Sequence, residues 1–202
     1  MPAKPDVIAD LYRATATPRM VDVPEMNFLM IDGHGDPTTS SSYQDAVQAL
    51  YALSYALKFS IKRSSGFDYK IGSLEGLWWA PDLNAFTTGD KAAWDWTMII
   101  RQPDAVTDDL LAETIKQVQQ KKDPPAATNV RLEKLTEGRA AQILHVGPYS
   151  TEGPTIARLH AYIQDQGFTF DGQVQKHHEI YLGDPRRAAP ERLRTIIRQP
   201  VA

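Results

Sequence analysis

His177, Glu179 and Tyr181 alternate within one short stretch near the end of the chain, Lys176-His177-His178-Glu179-Ile180-Tyr181-Leu182-Gly183-Asp184-Pro185. In an extended strand successive side chains point to opposite faces, so these three share one face, while Val174, His178, Ile180 and Leu182 share the other. The second face is expected to enter a core and the first to carry chemistry. A carboxylate in an apolar cleft has its protonation set by its neighbours, and as a general base it can take a proton from a water aimed at an electrophilic carbon. The plainer alternative is a strand carboxylate paired with an arginine across the sheet. Gly183-Asp184-Pro185 ends the run, because proline cannot donate to a ladder and glycine supplies turn geometry.

Other residue types invite the same weighing. Glu75 is either a second carboxylate of the cleft or an exposed residue of a Ser73-Leu74-Glu75-Gly76 turn. Trp79 shares its strand face, and Trp96 shares a face with Trp94 and Met98; four indoles in the chain offer stacking surface for a flat guest or simply fill a core. His177 and His178 point to opposite faces and lack the helical spacing of a zinc hydrolase motif, so no metal is expected. Gly33-His34-Gly35 lacks the lysine and the serine or threonine of a phosphate loop and is expected to be a plain turn. No cofactor is implied. Arg186, Arg187, Arg192, Arg194 and Arg198 form a basic cluster expected to be a solvated loop, with an acidic partner as the alternative.

The elements that must position these residues are legible from periodicity. Residues 1–24, with Pro2, Pro5, Pro18 and Pro24, suit an arm or an edge strand. A strand is expected at 26–31 and a helix from Ser42, with Ser42 and Asp45 resembling a capping box. Strands follow at 69–72, 75–79 and 94–100. Thr107 caps a helix running to Lys122 and stopped by Asp123-Pro124-Pro125, with acids in its first turn and lysines in its last. Further strands are expected at 130–135 and 140–146, then a turn at Gly147-Pro148-Tyr149 and a helix from Pro154 to Gln166 with Gly167 at its end. The last strand contains Thr195-Ile196-Ile197-Arg198.

With 202 residues, 42% hydrophobic and 23% charged, the chain can bury a sizeable core. A net charge of -3 argues against a general nucleic-acid binder on electrostatic grounds, and the absence of cysteine removes disulfides and thiolate sites. No secretory signal or membrane span is apparent, so a cytoplasmic protein without a membrane partner is expected.

The pentapeptide Ile-Ile-Arg-Gln-Pro occurs twice, from Ile99 and from Ile196. Aligning on it places Glu75 opposite Glu179 and divides the chain into half one (about 25–103), a connecting helix (107–122) and half two (about 128–202). Each half reads as strand, helix, strand, strand. The expected fold is α+β: a tandem βαββ repeat forming an antiparallel sheet platform, helices on one face and a central ligand cleft between the halves.

The His145-Val146-Gly147-Pro148-Tyr149 turn, the His178–Pro185 strand, the Gly76–Trp79 run and the repeated pattern resemble the GyrI-like small-molecule-binding family over roughly Val21–Val201. That resemblance implies a central pocket with an acidic strand residue of the second half facing aromatic groups. Glu179 matches the acid, and Tyr149 and Tyr181 match its aromatic partners. Some members sense drugs behind a helix-turn-helix, some bind DNA gyrase, and some stand-alone members hydrolyse the cyclopropane ring of cyclopropanoid genotoxins. Residues 1–24 are too short and proline-rich for a helix-turn-helix, so a transcription-factor sensor is disfavoured. What the resemblance implies is a detoxifying cyclopropyl hydrolase with Glu179, Tyr149 and Tyr181 as catalytic groups and Trp79, Trp96, Glu75 and His177 at the ligand. The rivals are a non-catalytic binder of cationic or aromatic drugs and, less favoured, a gyrase-interacting module.

Overall fold

The computed structural model describes residues 7–82, 84–121 and 124–202, without the side chain of Thr87. Its elements are α1 (Val7–Leu11), β1 (Arg19–Val23), β2 (Met26–His34), α2 (Ser41–Ser65), β3 (Leu74–Trp79), α3 (Asn84–Thr88), β4 (Asp95–Gln102), α4 (Asp108–Lys121), β5 (Arg131–Leu135), β6 (Gly138–Val146), α5 (Gly153–Asp165), β7 (His177–Tyr181) and β8 (Arg194–Pro200). They form two units, one of Glu25–Leu135 and one joining the residues up to Pro24 with Thr136–Ala202. Both are α+β, with antiparallel strands in corresponding orders: β5-β2-β4-β3 in the first and β1-β6-β8-β7 in the second.

The edge strands depart from the predicted halves. β1 precedes β2 in sequence but pairs with β6, Val23 opposite Gly138, whereas β5 precedes β6 but pairs with β2, Leu135 opposite Met26. For β1 the reason is visible in the link. Pro24-Glu25 lacks the glycine or asparagine that a two-residue hairpin turn needs at positive φ, so β1 does not fold back on β2.

In the first unit α2 packs on β2 and β4 through Ala46, Leu50, Leu53, Leu57 and Ile61, whose three- and four-residue spacing makes one stripe. Each fully buried leucine there contributes about 1.5–3 kcal/mol. Its N-cap is Ser40, accepting from the Tyr43 amide, two residues before the predicted Ser42; Ser42 instead bonds the Ser40 hydroxyl at 2.6 Å. Gly66 ends α2 at φ 75, returning its amide to the Lys62 carbonyl at 3.0 Å. The predicted strand at 69–72 is absent. Asp68 is tied back to Lys62 at 2.7 Å, and Phe67 stacks on Tyr69, so local contacts take the place of a ladder. Thr107 caps α4 as expected, its hydroxyl accepting from the Leu110 amide; the predicted Lys122 and Asp123 stop lie outside the described residues.

In the second unit Leu159 and Ile163 of α5 pack on Ala141 and Ile143 of β6 and Ile197 of β8. This fixes the faces: Ala141, Ile143, His145, Thr195 and Ile197 lie toward α5, and Ala140, Gln142, Ile196 and Arg198 lie away from it. Val174 does not belong to β7. It is in the preceding loop, 80% exposed, where the Asp171 carboxylate accepts from the Gln173 and Val174 amides at 2.8 Å. Among the described residues no helix is long and apolar enough to cross a membrane.

Candidate functional site

β7 pairs with β8 so that Glu179 lies opposite Ile197 and Tyr181 opposite Thr195. His177, Glu179 and Tyr181 therefore share the α5 side of the second unit, while His178 and Ile180 are wholly buried on the other. The expected division of the strand holds. Tyr181 donates its hydroxyl to Oε2 of Glu179 at 2.8 Å, and Nε2 of His177 contacts Oε1 at 3.3 Å. The carboxylate remains 15% exposed. Burial works to raise its pKa, but hydrogen bonds from His177, Tyr181 and Glu152 outweigh that, and it is held below the ordinary carboxylate range.

The turn before α5 brings the second tyrosine in. Gly147 has φ 136, a backbone that side chains avoid, and an added Cβ would meet the Thr151 hydroxyl at 3.2 Å and Nε2 of His145 at 3.3 Å. The chain then makes a 3-10 turn at Tyr149–Thr151, closed by the Thr151 hydroxyl donating to the Pro148 carbonyl at 2.8 Å. Tyr149 meets Tyr181 edge to face, ring centroids 5.6 Å apart. Burial first, and then the charge of Glu179, push its phenol up to about 12, so it is a donor throughout the physiological range.

Glu152 completes the cluster, and sequence reasoning missed it. It stands at the N-terminus of α5, 4% exposed, and its Oε1 has no hydrogen-bond partner among the described residues. Burial and the neighbouring Glu179 charge push it up to about 9, against the opposing pull of the Thr195 hydroxyl. One carboxyl is thus ionised and its neighbour protonated. The only signal in the sequence was an acid two residues before Pro154, which looks like an ordinary residue of a helix first turn.

The other arginine-bearing face is a separate network. Arg198 donates to Glu137 at 2.9 Å, to Gln142 at 3.2 and 3.1 Å and to the Leu11 carbonyl at 2.9 Å, and Nδ1 of His178 contacts Glu137 at 2.8 Å. Arg198 is fully buried, which corrects its expected place in a solvated basic loop; Arg186, Arg187, Arg192 and Arg194 are exposed, the first two paired with Asp184. An arginine across the sheet is the plainer partner expected for Glu179; among the described residues its ion pair is with His177, and Arg198 pairs with Glu137.

The GyrI-like small molecule binding domain matches residues 16–202. The chain belongs to the GyrI-like family. A structure of a conserved, uncharacterised protein from Listeria innocua is 42% identical, with TM-score 0.90 and 96% of each chain covered. That of a hydrolase from Listeria innocua is 39% identical, with TM-score 0.85 and the same coverage. The C-terminal domain of EcmrR, 13% identical at TM-score 0.60 with 92% of this chain and 97% of that chain covered, shares the fold alone. No curated protein matches.

The remaining predicted residues of this GyrI-like chain lie in its first unit. Glu75 is in β3, not in an exposed turn, and is fully buried. It pairs with Ile99, the first residue of the repeated pentapeptide, whereas Glu179 pairs with Ile197, the second residue of the other copy. Glu75 is therefore register-equivalent to Ile180, and a one-residue slip reverses the face. Gln102 donates to Ser54 of α2, which places Ile100, Met98 and Trp96 toward that helix; Leu74, Gly76 and Trp78 follow, and Glu75 and Trp79 lie on the opposite face. Trp96 is 1% exposed, packed edge to face on Tyr43 and so close to Gly33 that a Cβ there would fall 2.0 Å from the indole. Its surface is used in packing. Among the described residues no three His, Asp or Glu side chains converge as metal ligands.

Proposed function

We propose that this GyrI-like chain takes flat, largely apolar small molecules and opens the cyclopropane ring of cyclopropanoid genotoxins by adding water, a detoxifying hydrolysis carried out in the cytoplasm. The observation that carries this is the Glu179 carboxylate, ionised, oriented by Tyr181 and His177 and still partly open. Hydrolysis of a spirocyclopropyl dienone needs a base for water and a donor at the carbonyl, which becomes a phenolate oxygen as the ring opens. Glu179 supplies the base. Tyr181 and His177 fix the carboxylate's orientation, so its remaining lone pairs are directed at one position. Tyr149, protonated and facing the same cluster, supplies a donor to the developing oxyanion. Similarity to the Listeria hydrolase supports a hydrolytic rather than a purely sequestering role.

Incubation of the protein with a spirocyclopropyl dienone, followed by mass spectrometry, tests this together with Glu179→Gln. Wild type should accumulate the ring-opened phenol over many turnovers, and the variant, folded and still binding, should be slower by about 10²–10⁴-fold. Binding without turnover, weakened in the variant only for cationic guests, would make the protein a drug binder whose glutamate is a counter-ion.

A further inference from the structure

Resting on the hydrolase proposed above, we infer that Glu152 is the general acid of the reaction and that it shares one proton with Glu179 in a carboxyl dyad. Glu152 is buried beside Glu179 and Thr195, and Oε1, the oxygen left without a partner, belongs to the cluster that holds the base and both tyrosines. A buried carboxyl oxygen in a polar cluster is costly unless something bonds to it. The enol or phenol oxygen of a reacting dienone is a group of the right chemistry.

The proton inventory then closes without an outside acid. Glu179 removes a proton from water as the water oxygen bonds to the cyclopropane methylene. The carbon–carbon bond of the small ring breaks, and its electron pair passes into the six-membered ring, making the carbonyl oxygen a phenolate. Glu152 protonates that oxygen. The proton held by Glu179 crosses their shared hydrogen bond to Glu152, and both carboxyls regain their starting states. Substrate and one water give one phenol, with no net change in the protein.

Two neighbouring carboxyls cannot both ionise cheaply, and here their surroundings separate them. Glu179 has the stabilising donors, Tyr181 and His177. Glu152 has burial and the Glu179 charge against it, offset in part by Thr195. Tyr149 of the turn is pushed up first by burial and then by Glu179, Glu152 and Asp184, and His160 of α5 has its charged form disfavoured first by burial and then by His177. His145 of β6 is engaged by Thr155 and faces the turn. None of these supplies a second protonated carboxyl near neutrality.

Glu152→Gln separates proton delivery from shape, because the amide keeps the size and a donor but cannot release a proton. With the spirocyclopropyl dienone, substrate binding should be unchanged and turnover should fall by about 10²–10⁴-fold. The decline of wild-type kcat/KM above pH 8, centred near the Glu152 value of about 9, should vanish in the variant. Independently of turnover, infrared spectroscopy of the wild type at pH 7 should show a protonated carboxyl band that is lost on raising the pH to 10 and is missing from the variant. A variant with the wild-type rate and the wild-type alkaline limb would overturn the assignment of Glu152 while leaving the hydrolase intact. Absence of ring opening by wild type would remove the hydrolase and this step together, whatever the infrared band shows. Should glutamine prevent folding, the wild-type band decides, and its absence at pH 7 would refute the shared proton.

Discussion

Two buried acidic clusters sit on opposite faces of the same short strand, one reached by His178 and the other by Glu179. Glu137 is surrounded by compensation: Arg198 on one oxygen, His178 on the other, and Gln142 and the Leu11 carbonyl consuming the rest of the guanidinium. Burial opposes its charge, but His178 and Arg198 overcome this and hold the carboxyl down at about 2. Among the described residues no arginine pairs with Glu152, and its burial acts beside another acid, so it is pushed the opposite way, to about 9. Equal burial thus gives opposite protonation according to the partner. The closed network ties the sheet to the N-terminal segment, whereas the incompletely satisfied pair has capacity left for a substrate.

Removing one partner from the closed network should have the largest effect. Glu137→Gln leaves Arg198 buried without its counter-charge and should cost about 3–5 kcal/mol, read as a lower urea midpoint at pH 7. The sign with pH follows from the depressed value. Glu137 is 4.5 when unfolded and about 2 when folded, so its contribution is complete above pH 4.5 and is lost as pH falls through 2. The gap between wild type and variant should therefore narrow in acid. A gap that stays constant down to pH 2 would show that the ion pairs do not set the stability of this face.

Much of the site's scaffold was legible from local rules. Strand alternation put His177, Glu179 and Tyr181 on one face, and Gly147 with Pro148 marked the turn that delivers Tyr149. What escaped was set by contacts distant in sequence. Glu137 lies in a two-residue link and finds Arg198 sixty-one positions later, so nothing near either residue announces the pair. The swap of β1 and β5 was hidden because an edge strand chooses its partner by what is left unpaired, which periodicity does not encode. Glu75 was misaligned with Glu179 by one residue, a small error in sequence that in a strand exchanges the two faces. Glu152 looked like a helix-end acid until burial distinguished it.

The second cluster should respond to pH in the reverse direction. The folded value of Glu152 lies above its unfolded 4.5, so its contribution is complete below that pH and is lost as pH rises through about 9. Glu152→Gln removes that loss. The variant should gain stability relative to wild type between pH 6 and pH 9, by about 1–3 kcal/mol, the scale of desolvating one poorly satisfied polar group. Urea titrations across that range check it. A gain that appeared in acid rather than alkali would mean that Glu152, like Glu137, is ionised in the folded state.

The smallest change falls on the phenol bonded to the proposed base. Tyr181→Phe keeps the edge-to-face contact with Tyr149 but removes the 2.8 Å hydrogen bond to Oε2 of Glu179. Because Glu179 is partly open, water replaces much of the lost donor, and the stability cost should be about 1 kcal/mol. The chemical consequence is more specific. Of the influences on Glu179, burial raises its pKa while His177 and Tyr181 lower it; deleting one lowering group moves the acid limb of kcat/KM to higher pH and leaves the alkaline limb, assigned to Glu152, in place. A shift of both limbs together would show that Tyr181 positions the pair as a unit. A shift of neither would mean that His177 and Glu152 suffice to hold Glu179 in its ionised form.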